Sequence, residues 1–133
     1  MLPIDPAEFT RNEAWLLFQL NDAPVQTGSD GDFNALAIME VATGVIVGME
    51  LVRVVEPEIS EFQSRKLLAA AEAQAGLRPQ RLFIDSDREA GIVSSVAATM
   101  DISIERAPSD ELAPLSREAR EGFAAHVLGG RMQ

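Results

Sequence analysis

The chain contains no cysteine. That excludes a disulfide framework, a thiolate metal site and a cysteine nucleophile. Lysine and histidine each occur once, as Lys66 and His126. No basic residue lies between Arg11 and Arg53. Eleven Lys and Arg face 21 Asp and Glu, for a net charge of −10. The basic residues that do occur stand beside acids, as in "SREARE" (116–121). Phosphate backbones are held by clustered cations, so a nucleic-acid partner is disfavoured. Long apolar runs are also missing: nothing approaches the roughly 20 residues of a membrane span. The opening "MLPIDPAEFTRNEAW" carries Asp5, Glu8 and Glu13 and has no apolar core, unlike a signal peptide. A cytoplasmic protein with no membrane contact is expected. There is no P-loop and no dinucleotide glycine fingerprint. Ser94 and Ser95 lie in "IVSSVA", without the glycines of a nucleophile elbow.

What is present suits a globular α/β domain. Apolar residues make up 47% of 133 positions and charged residues 24%, far from a disordered composition. A chain of this length buries roughly 70% of its unfolded surface. One domain is expected over 1–133.

Strands are expected at "AWLLFQL" (14–20), "ALAIMEV" (35–41) and "VIVGMELVRVV" (45–55), from β-branched and aromatic content. The last two form a hairpin, with Gly44 in the left-handed position of a short turn. Residues 22–34, "DAPVQTGSDGDFN", have loop composition. Both faces of the hairpin strands carry apolar residues, so covering layers on both sides are expected. A helix is expected over 57–76, with Pro57 in its first turn, a stripe of Ser64, Leu67, Leu68, Ala71 and Ala75, and Gly76 ending it. "RLFI" (81–84) is a buried strand. "SDRE" (86–89) has the pattern of a capping box starting a helix to Met100, with Ile92, Val93, Val96 and Met100 inward and Gly91 weakening it. "ISIER" (102–106) is a fifth strand, "APSDELAPL" a connection, and Ser116 caps a last helix to Leu128, ended by Gly129 and Gly130. The order is β-β-β-α-β-α-β-α in a five-stranded mixed sheet, with right-handed crossovers among the later strands.

That order, with "ALAIMEVATGVIVGMEL" (35–51) and "GLRPQRLFIDSDREAGIVSSVAATMDISIERAP" (76–108), resembles the ribonuclease H-like superfamily, specifically the core of retroviral-type integrases and transposases. The chain is also similar to an uncharacterised bacterial domain family with a Trp-rich first strand, a "TG" hairpin and "RP-x-x-(I/L)" before the fourth strand. The resemblance covers residues 14–128, leaving an extension at 1–13 and a tail at 129–133. It implies a site where carboxylates hold two metal ions about 4 Å apart against a phosphodiester. The acids would come from the first strand, the end of the fourth and the last helix. Asp85 takes the fourth-strand position, or Asp87 with a shift in register. Glu118 or Glu121 takes the last-helix position. The first strand departs from the pattern: it has no acid, only Gln19, with Asp22 beyond it. Glu40 on the second strand is a further carboxylate outside the pattern.

Each candidate has a plainer reading. Asp85, Asp87 and Glu89 suit the positive end of a helix. "SDGD" (29–32) lacks the spacing and terminal Glu of an EF-hand. His126 has no identifiable Ser or Asp partner for base catalysis. Trp15 and Phe18 suit a core. The functional expectation is a non-catalytic ribonuclease H-like domain used for protein or ligand binding, without a cofactor. It would self-associate through a strand edge or apolar helix face. The alternative is a Mg²⁺- or Mn²⁺-dependent nuclease or phosphodiester transferase using Asp85, Asp87, Glu118 or Glu121, with Glu40 a further metal candidate.

Overall fold

The structure, a computed structural model, describes residues 4–27 and 31–131, and among these the side chains of all but 27 and 126–131. Six strands form one mixed sheet among the described residues: β1 (Ala14–Gln19), β2 (Val25–Thr27), β3 (Gly31–Glu40), β4 (Val45–Arg53), β5 (Arg81–Asp85) and β6 (Ser103–Ala107). On one side β3 pairs antiparallel with β4; on its other side it pairs antiparallel with β1 and, further along, with β2. β1 pairs parallel with β5, and β5 with β6. Helices α1 (Glu61–Ala75), α2 (Gly91–Thr99) and α3 (Ser109–Arg131) follow β4, β5 and β6.

The alternation of side chains sorts the sheet into two apolar layers. Trp15, Leu17, Leu36, Ile38, Leu82 and Ile84 point to one face, where Leu67, Leu68 and Ala71 of α1 and Val93, Val96 and Ala97 of α2 cover them. Ala14, Leu16, Phe18, Ala37, Met39 and Phe83 point to the other, where Leu112, Leu115, Ala119 and Phe123 of α3 pack. Each large apolar side chain fully buried this way contributes about 1.5–3 kcal/mol. At the start of β1, Phe9 meets Phe83 edge-on at 5.8 Å, and the Arg81 guanidinium lies 5.0 and 5.6 Å from the two rings.

The sheet has one strand more than the five expected. Val25–Thr27 and the start of β3 occupy much of the expected loop 22–34; residues 28–30 of that loop lie outside the described residues. A three-residue strand is too short for its alternation to show. A buried side chain bridges the break between β1 and β2. Asn21 accepts the Ala35 amide at 2.7 Å and donates to the Ala23 carbonyl and the Asn34 side chain, each at 3.0 Å. It thus replaces ladder bonds the irregular backbone cannot make.

Helix boundaries differ from expectation for local reasons. α1 starts at Glu61, not in the turn of Pro57, because the Ser60 hydroxyl accepts the Gln63 amide at 3.1 Å. It ends as expected at Gly76, with φ 84°. α2 starts at Gly91 without a side chain from its own N-cap, so no Ser86–Glu89 box forms and Gly91 opens the helix rather than weakening its interior. The Glu58 carboxylate reaches the Ile92 amide instead, at 3.4 Å. Val93, Val96 and Ala97 are buried, while Ile92 is turned outward. α3 starts at Ser109, so "APSDELAPL" is largely helix and Pro114 lies inside it. Ser116 is buried within α3 rather than capping it, and the helix continues past Gly129 and Gly130.

β4 has a bulge: Ile38 pairs with Gly48 but Met39 with Ile46. The extra residue, Val47, turns into the α1 layer, and Met49 and Leu51 fall on the opposite face, half exposed. The expected cover on both faces therefore fails at this outer strand. Gly44, at φ 74°, closes the β3–β4 hairpin in the left-handed conformation.

Candidate functional site

β1 and β5 run parallel, so their C-terminal ends open at the same edge of the sheet. α3 crosses that end. Between them lies a groove of about 330 Å³, within the usual size of small-ligand sites. Leu16, Phe18, Leu112 and Ala113 form its apolar part. Gln19, Asp22, Asp85, Arg88, Ser109 and Arg120 supply its polar groups.

Asp85, the expected fourth-strand acid, is at this groove, but its carboxylate is engaged. One oxygen accepts the Asp87 amide at 2.8 Å, closing an Asx turn. The other accepts a short hydrogen bond from the Ser109 hydroxyl at the start of α3. Arg106 donates to the carbonyls of Asp85 and Arg88, at 2.9 and 2.7 Å, and fixes the turn from β6. The β1–β5 register ends at Leu17 and Ile84; Phe18 and Asp85 are the next residues of the two strands, and Phe18 packs in the α3 layer. A buried phenylalanine thus stands near the end of β1, and no acid lies within the strand.

The other expected ligands are elsewhere. Glu40 pairs with Trp15 at the opposite end of β1 and belongs to the α1 face. It is buried, and its carboxylate accepts the amides of Ala42 and Thr43 and the Thr43 hydroxyl, at 2.9, 3.1 and 2.7 Å. It clamps the hairpin turn. Asp87 is exposed beyond the Asx turn, and Glu118 is exposed on α3. Glu121, also exposed, borders a neighbouring recess with Asp22, Arg117 and Arg120. No group of three or more His, Cys, Asp or Glu that could hold a metal occurs among the described residues. The side chain of His126, and residues 29 and 30 of "SDGD", lie outside the described residues.

The groove brings in two arginines that the sequence did not single out. Burial lowers the Arg88 pKa from its ordinary value, and the Asp85 charge offsets part of this. Its guanidinium donates to the Gln19 side chain at 3.5 Å, the limit of a hydrogen bond. Gln19 is oriented for this by donating its own amide to the Asn21 carbonyl at 2.7 Å. Arg120, 32 residues further along the chain, pairs with Asp22 through one terminal nitrogen. Its Nε is buried and has no hydrogen-bond partner among the described residues. One acid that already accepts a hydrogen bond at each oxygen, one paired acid and two guanidiniums are a poor donor set for a hard divalent cation. Arg88 and Arg120 carried no motif and stand 32 positions apart, and the fold alone joins them.

Residues 16–124 match the family described as Domain of unknown function (DUF6930). The chain belongs to that family. No curated protein matches this DUF6930 chain. Among solved structures it is similar to a chain of the cryoEM structure of the simian T-cell lymphotropic virus intasome in complex with PP2A regulatory subunit B56 gamma, at 11% identity and a TM-score of 0.50. The match covers 80% of this chain and 32% of that one, so the DUF6930 chain spans about a third of its neighbour. The likeness is one of fold. No helix among the described residues is long and apolar enough to cross a membrane.

Proposed function

We propose that this DUF6930 chain is a ribonuclease H-like domain that binds a ligand and does not cleave phosphodiesters. The ribonuclease H-like reading is supported by the sheet, in which an antiparallel β4-β3-β1 unit is extended by parallel β5 and β6. The intasome likeness agrees with it. The observation that supports the absence of cleavage is that β1 offers no carboxylate at this strand end, where the residue after Leu17 is the buried Phe18. A two-metal mechanism needs carboxylates on both sides of the ion pair. Here a divalent cation would meet the Arg88 and Arg120 guanidiniums instead.

A cleavage assay tests this reading. Single- and double-stranded DNA and RNA are incubated with the protein in Mg²⁺ and in Mn²⁺. No product above a protein-free control is expected. Cleavage that disappears in Asp85→Asn would overturn the reading and restore the nuclease.

A further inference from the structure

We propose that the groove between β1, the β5–α2 turn and α3 binds a small organic anion, a carboxylate or a phosphate, held by Arg88 and Arg120. This rests on the preceding reading, that the groove binds without cleaving, and adds the class of ligand.

Arg88 is half-buried, and among the described residues its guanidinium makes one marginal hydrogen bond, to Gln19. A guanidinium carries five N–H donors. A cation taken from water without strong partners is unfavourable unless an anion arrives to satisfy it. Asp85 is near enough to act on Arg88 through its charge, yet its own oxygens are bonded to Ser109 and the Asp87 amide.

Arg120 also lines the groove, and its buried Nε has no hydrogen-bond partner among the described residues. Its partner Asp22 has a side chain 81% exposed, so that pair can open toward solvent at little loss. The N-terminus of the 23-residue helix α3 enters the groove at Ser109, and its dipole favours negative charge there.

Groove size and lining set the kind of anion. A volume of about 330 Å³ with Leu16, Phe18 and Leu112 in its wall suits one charged head on a small apolar body. A polyanion is opposed by the net charge of −10, whereas a singly or doubly charged ligand is held by short-range, forked hydrogen bonds.

The test is a titration followed by NMR of the arginine Nε–Hε signals, with inorganic phosphate and with benzoate in separate series at constant ionic strength. Saturable shifts of the Arg88 and Arg120 signals are expected with at least one probe. The probe that saturates tells a phosphate head from a carboxylate head. Arg88→Gln is expected to raise the midpoint about tenfold, the effect of losing one charge-assisted contact. Asp22→Asn, which frees Arg120, is expected to lower the midpoint several-fold, a gain that a poorly folded protein cannot give. No saturable shift with either probe, or equal midpoints in the wild type and Asp22→Asn, overturns the inference. Silence toward both anions and Mn²⁺ removes this inference and leaves the proposed function standing. Mn²⁺ binding that depends on Asp85 removes both.

Discussion

Three donors converge on the Glu40 carboxylate: the amides of Ala42 and Thr43 and the Thr43 hydroxyl. Glu40→Ala leaves these donors in a part-buried turn. It is expected to lower the unfolding free energy by about 1–3 kcal/mol in urea denaturation. Glu40→Gln keeps an acceptor and should lose less. Glu13 shows the opposite use of an acid, at the surface. The Thr10 amide and then Arg81 hold its carboxyl below the ordinary value of 4.5. A depressed folded pKa contributes stability above the unfolded value and loses it as pH falls through the folded value. Stability should therefore decline as pH is lowered past 4.5, and Glu13→Gln should flatten that part of the curve in thermal unfolding against pH. At this scale the sequence was informative about residue type and silent about partners. Glu40 and Asp85 were visible as acids. The hairpin amides that occupy one, and the Ser109 hydroxyl that occupies the other from 24 residues away, were not.

Among the elements, close packing and proline chemistry give the sharpest expectations. Gly48 lies under α1. A Cβ there would come within 3.2 Å of the Leu67 Cδ1, 3.3 Å of the Ala71 Cβ and 3.3 Å of the Leu67 carbonyl oxygen. The helix backbone cannot rotate away as a side chain can. Gly48→Ala should thus destabilise by about 1–3 kcal/mol on chemical denaturation, as overpacking does. Pro114 acts within α3. A proline inside a helix costs about 3 kcal/mol, of which a reduced unfolded-state entropy returns about 1. Pro114→Ala should raise stability by about 1–2 kcal/mol and increase the helical signal in circular dichroism. The same proline obscures the start of α3 in the sequence, since a local rule ends helices before proline, whereas the packing of Leu112 and Leu115 overrides it. Strands β1, β4 and β5 were legible because three or more apolar residues run together in each. The start of α1 was also within reach: "SEFQ" (60–63) has the capping-box pattern, and Ser60 uses it. The start of α2 was not, because its capping acid, Glu58, comes from another part of the chain.

For the molecule as a whole, the sheet divides its side chains between an α1–α2 layer and an α3 layer, and the layered α/β class followed from apolar residues on both strand faces. The groove at the ends of β1 and β5 includes Asp85, one of the acids singled out from sequence, and none of Asp87, Glu118 and Glu121. Its arginines come from the β5–α2 turn and the middle of α3, and no spacing rule relates them. The absence of an acid in β1 is read directly from the sequence, and the structure places the buried Phe18 near that strand end. The central claim is that this strand end is not a metal centre. The most direct measurement is a Mn²⁺ titration of the wild-type protein, read by paramagnetic broadening of backbone amide signals. The account predicts no selective broadening around Phe18, Asp85 and Ser109 up to millimolar Mn²⁺. Selective broadening there that is lost in Asp85→Asn would contradict it.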